Sequence, residues 1–159
     1  MFAPIKDEIM SDMFPHTVTL YNVTAENPDT LMPEAQITIL RGVFLELCQG
    51  ANIVKTGLQN ADKATLHIPM SIKVVNAVTG QQQKYVPPKE YDRLQDKSGF
   101  WTVGYRDNQT CFFVKGEVVE QMADYATIND RYDFCYAVTT VDIPDYGSPE
   151  LRDFVVGGS

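Results

Sequence analysis

The chain is predicted to be mainly β: a small β-barrel or sandwich with one or two short helices and an inserted hairpin. Three observations point there. Short stretches rich in Val, Ile, Thr, Tyr and Phe alternate apolar with polar positions, which is the pattern of a half-buried strand. Turn residues punctuate those stretches at short intervals, and helical periodicity is scarce. At 159 residues and 44% hydrophobic content, the chain suits one domain with an ample core.

The organising stretch runs from His16 to Leu47. A first arm, residues 17–23, places Val18 and Leu20 on one face and Thr17, Thr19 and Tyr21 on the other. A turn-rich passage with Asn27-Pro28-Asp29 and Met32-Pro33 leads to a return arm, residues 36–47. Near Arg41-Gly42 the register changes, with Leu40 and Phe44 expected opposite Ile37, Ile39 and Val43, so a bulge or sharp bend is expected there. Such a bend curls a sheet towards a barrel. Residues 1–15 form an N-terminal arm, in which Ile5, Ile9 and Met13 recur at spacing four, as in an amphipathic helical turn or a frayed terminus. Residues 16–159 form the single barrel-like domain.

Residues 49–63 read as a long polar loop with glycines at both ends, and long loops in compact domains tend to carry function. Residues 64–68 alternate as a strand and stop at Pro69. Residues 71–78 and 82–86 bracket Thr79-Gly80-Gln81 as an inserted hairpin, and Pro87-Pro88 opens a short helix that Ser98-Gly99 closes. A third hairpin is expected from residues 100–105 and 110–115, which hold the only Trp. Residues 116–120 extend that strand or begin a neighbour, residues 124–133 carry a helical turn, and residues 134–141 form a strong strand. A last strand, residues 151–156, precedes Gly157-Gly158-Ser159, read as a loose terminus.

The net charge of −8 argues against gripping nucleic acid, which needs clustered Lys and Arg; a negative protein can still work beside DNA if it lets DNA pass without sticking, and composition does not choose between these. No apolar run reaches the roughly 18 residues that cross a bilayer, and no export signal is seen, so a soluble protein with no membrane partner is expected. Cys48, Cys111 and Cys135 lack CxxC spacing and read as buried thiols. His16 and His67 lack further ligands at metal spacing, and the Asp142/Asp145 and Asp130/Asp133 pairs read as solvated charges. No nucleophile elbow, dinucleotide fingerprint or P-loop occurs. These features favour a structural or binding role without catalysis, metal or cofactor.

The arm, the opening strand of residues 16–23, the return strand with its Arg41-Gly42-Val43-Phe44 step, the following loop and the strand of residues 64–68 resemble tailed-phage head-completion proteins, the head-closure (stopper) or head-tail joining group. Residues 85–91, 96–99, 113–119 and the final segment from Thr139 to Gly158 resemble an uncharacterised structural family of phages and prophages of Gram-positive gut bacteria. The first resemblance implies a β-barrel repeated as a ring in the virion neck, usually twelvefold, assembled in the host cytoplasm. Its implied partners are further copies of itself, a portal or adaptor protein, and a tail or tail-terminator protein, with packaged DNA passing through rather than being bound specifically. It further implies a channel loop carrying Gly50, Asn52, Lys55, Gly57, Asn60 and Lys63 that helps retain DNA. Ile5, Ile9, Met13, Phe154 and Val156 are candidate assembly contacts. The insertion at residues 71–98 departs from that family's pattern.

Two other readings stand beside this one. A β-sandwich module binding sugar or peptide would use Tyr105, Tyr125, Tyr132 and Tyr146 as platforms. A small hydrolase would use the scattered Asp and His residues.

Overall fold

The computed structural model describes residues 14–26, 33–48, 63–106, 109–120, 124–143 and 153–159. Within them nine strands and two helices follow in chain order: β1 (His16–Glu26), β2 (Pro33–Cys48), β3 (Lys63–Pro69), β4 (Val74–Asn76), β5 (Gln82–Tyr85), α1 (Pro88–Arg93), β6 (Phe100–Trp101), β7 (Cys111–Lys115), α2 (Tyr125–Arg131), β8 (Cys135–Asp142) and β9 (Asp153–Gly158). Six of the strands close on themselves in the order β1-β7-β8-β9-β3-β2, and β2 returns to β1. Every pairing around this ring is antiparallel. The protein is therefore a closed β-barrel, which leaves no edge among those six strands.

Closure depends on β2, whose early part pairs with β1 and whose later part, Phe44 to Cys48, pairs with β3. The changeover falls at the expected step. His16 opposes Val43 and Thr17 opposes Arg41, so Gly42 is the extra residue of a bulge. Gly42 has φ +89, a conformation that costs a side-chain-bearing residue but not glycine. The bulge also corrects the expected facing: Leu40, Val43 and Leu45 all enter the barrel core, while Phe44 is half-buried on the outside. One inserted residue switches the parity of every position beyond it.

Two apolar clusters result. The barrel interior holds Val18, Leu20, Leu66, Ile68, Phe113, Tyr136 and Val156 among others. A second cluster lies on the opposite face of β1, β7 and β8, where Tyr21, Phe112, Val114, Cys135 and Ala137 are covered by Ile128 of α2 and by Val118. Four successive residues of β7, Cys111 to Val114, are therefore buried, because both its faces are covered. Asp124 caps α2 by accepting from the Thr127 amide at 2.8 Å. Residues 116–120 form no strand. Gly116 turns at φ +92, and buried Thr19 donates to its carbonyl at 2.7 Å while accepting from the Val118 amide at 2.9 Å.

The insertion supplies β4, β5 and, after Pro87, α1; with β6, which follows it, β4 and β5 make a small extension β4-β5-β6 on the β3 side of β2. The third hairpin does not form. Phe100 and Trp101 pair in parallel with β5, and β7 has both edges occupied by β1 and β8. Residues 102–104 instead cross to the base of β1, where buried Asn22 donates to the Thr102 carbonyl at 2.9 Å. The terminal glycines are also not loose. Gly157 and Gly158 lie within β9 between β3 and β8, and Ser159 exchanges two backbone hydrogen bonds with Ala137.

Candidate functional site

The barrel's two most distinctive surface features are the anchored start and end of the 49–62 connection and an open cavity beside the β4-β5-β6 extension. Cys48 opposes Lys63 in the β2–β3 ladder, so the connection leaves and re-enters the barrel at one paired position. Lys63 is exposed there. Gly50, Asn52, Lys55, Gly57 and Asn60 lie outside the described residues, as do Ile5, Ile9 and Met13.

Phe154 and Val156, the other two candidate assembly contacts, lie on β9. Both side chains are buried in the barrel core, because β9 is an interior strand of the sheet rather than a terminal edge. The tyrosines likewise separate. Tyr125 meets Phe112 edge-on at 5.6 Å, and Tyr132 donates to Glu120 at 3.3 Å, so both serve the α2 contact with the barrel. Tyr105 stands 61% exposed, and Tyr146 lies outside the described residues.

The histidines take up structural partners. His16 Nδ1 accepts from the Leu45 amide at 3.0 Å, satisfying a β2 donor just beyond the reach of β1. Phe44 is sandwiched between the His16 and His67 rings at 5.8 and 5.7 Å. His67 Nδ1 lies 3.2 Å from Asp153 Oδ2, and its Nε2 lies 3.6 Å from Glu46 Oε1. Among the described residues, no three of His, Cys, Asp and Glu converge as a metal site. Burial pushes the Cys111 thiol up to about 11 and the Cys135 thiol up to about 12, which disfavours the reactive thiolate. Cys48's side chain lies outside the described ones.

Sequence reasoning missed the cavity. It occupies about 650 Å³ where the extension faces the ends of β3, β8 and β9. Its aromatic wall is Tyr85, Trp101 and Phe154, whose ring centroids lie 4.8 to 5.7 Å apart. Met70, Ile72 and Ile143 add aliphatic surface, while Gln82 and Lys84 supply polar groups. The Tyr85 hydroxyl is buried and has no hydrogen-bond partner among the described residues. Three aromatics spread over some seventy residues carry no local spacing signal; only closure of the barrel assembles them. A smaller cleft of about 290 Å³ lies beside Tyr91, where Arg106 forms a two-pronged pair with Asp92 at 2.8 and 2.9 Å. Asp92 and Arg106 thus satisfy each other, and the cleft's third charge, Lys97, donates to the Leu94 carbonyl.

A family model described as "Family of unknown function (DUF6751)" matches residues 13–159, and the chain belongs to that family. No curated protein and no solved structure matches the chain.

Proposed function

We propose that this member of the family is a structural subunit of a phage neck, a head-closure ring that joins the portal side to the tail and helps to retain packaged DNA. The observation that carries the reading is the closed antiparallel barrel in which Cys48 and Lys63, the residues that bound the 49–62 connection, are paired neighbours on β2 and β3. A closed barrel is a rigid pedestal for such a segment, since its strands have no free edges along which to slip. Repeated about an axis, subunits of net charge −8 line a passage that repels a sliding duplex instead of holding it. Buried thiols of raised pKa and histidines engaged in stacking and hydrogen bonding fit a role in assembly better than one in catalysis.

The test is the composition and architecture of particles made by the genome that encodes the chain. Peptide mass fingerprinting of purified particles is expected to find it at a fixed ratio to the portal, and imaging of the neck is expected to place it as a ring. Particles that lack the chain, or that carry it elsewhere than the neck, would overturn the reading.

A further inference from the structure

A barrel this closed has little reason to leave an aromatic cavity open. Tyr85, Trp101 and Phe154 form one wall, and Ile143, one of the few large hydrophobics exposed among the described residues, stands at 43% exposure beside them. A cavity of about 650 Å³ lies within the size range of binding clefts, and Ile143 adds exposed apolar surface to its lining. Lys84 adds a cation that pairs with no carboxylate among the described residues. The occupant that fits is therefore apolar with negative charge alongside.

The chain contains such a segment. Residues 1–13 hold Phe2, Ile5, Ile9 and Met13 with Asp7, Glu8 and Asp12 interspersed against a single Lys6. The segment joins the barrel at His16, and a run of contacts links that residue to the cavity wall. His16 stacks on Phe44, Phe44 on His67, and His67 meets Asp153, the residue before Phe154 in the cavity wall. Thirteen extended residues reach roughly 45 Å, enough to pass from one barrel to the next.

We propose that this cavity seats the apolar residues of the 1–13 segment from a neighbouring copy of the chain. This rests on the ring reading: a closed ring is built from a heterologous contact, in which one part of a subunit meets a different part of the next. The arm and the cavity are such a pair, with Lys84 facing the arm's carboxylates.

Trp101 is the chain's only tryptophan and lies in the cavity wall, so its emission reports occupancy. A peptide of residues 1–13 added to protein lacking them is expected to shift that emission saturably, and a scrambled peptide to leave it unchanged. Lys84→Glu is expected to weaken the peptide roughly three- to tenfold, as loss and reversal of an exposed charge contact would. Ile72→Arg, with its fold checked by circular dichroism, is expected to abolish the shift; Lys84→Glu, at an exposed position, remains a test should Ile72→Arg unfold. In trans, full-length Ile72→Arg protein mixed with arm-deleted protein is expected to form a heterodimer by native mass spectrometry, each being monomeric alone. Absence of a saturable shift, equal response to the scrambled peptide, or no heterodimer would overturn the inference. Rings that the arm-deleted protein still forms, with Trp101 emission equal to that of full-length rings, would sink this contact and leave the ring. A heterodimer from a chain absent from particles would sink the neck reading and leave the contact.

Discussion

Gly158 lies directly against Phe113: a Cβ built on Gly158 falls 2.9 Å from Phe113 Cζ and equally close to Tyr136 Cβ. The strand β9 can run between β3 and β8 across these two side chains only because it carries no side chain at that point. Gly158→Ala is expected to destabilise the barrel by about 1–3 kcal/mol through overpacking, read as a lower urea midpoint with unchanged m-value. A midpoint equal to the parent's would mean that Phe113 can move aside freely.

Gly42 makes the opposite kind of prediction. A Cβ there meets nothing within 4 Å, yet φ is +89, so the cost of substitution lies in the backbone alone. Gly42→Ala is expected to cost about 1–2 kcal/mol, and Gly42→Asn less, because Asn tolerates positive φ better. Thermal unfolding of the two variants side by side checks the order.

The thiols predict the alkaline limb of stability. Cys111 and Cys135 are raised by burial from 9.0 to about 11 and about 12. Above pH 9 the unfolded chain releases protons that the folded chain keeps. Stability is therefore fully present below pH 9 and falls as pH rises towards 11 for Cys111 and 12 for Cys135. The slope is at most about 1.4 kcal/mol per pH unit for each thiol. Cys135→Ala is expected to flatten it, measured by urea titrations from pH 8 to 11. Residue-specific alkylation at pH 8 is expected to spare both thiols until denaturant is added.

Asp124 holds the helix that seals the outer cluster. Its carboxyl is kept below the usual range by the hydrogen bonds from Thr127, so its contribution is present above pH 4 and fades as pH falls. Asp124→Ala is expected to cost about 1 kcal/mol, and hydrogen exchange is expected to quicken in residues 125–131 before it does in β7.

Deleting residues 51–62 is expected to leave the fold intact, since Cys48 and Lys63 remain paired neighbours on adjacent strands and shortening a loop costs little closure entropy. Particles built with the shortened chain are expected to leak DNA. Wild-type retention of DNA would remove the plug role while leaving the barrel's place in the neck open to its own test.

Much of the barrel was legible in local pattern. Alternation located β1, β2, β3 and β8, Pro87-Pro88 announced α1, and the mismatch around Arg41-Gly42 announced the bulge, because strand period, proline and glycine act within a few residues. What local pattern cannot carry is which edge meets which. The residues 100–105 and 110–115 look like hairpin arms, yet β6 pairs with β5 and β7 with β1 and β8, because backbone donors go to whichever edge the closed sheet leaves vacant. The same holds for Gly157 and Gly158, which read as a tail and serve as the narrow pass between two strands. The cavity of Tyr85, Trp101 and Phe154 was likewise out of reach of the sequence, since it exists only where three distant strands converge. Strand character is a property of short stretches and so was set by the residues themselves; burial of a particular side chain depends on its partners across the barrel, which only the closed tertiary structure selects.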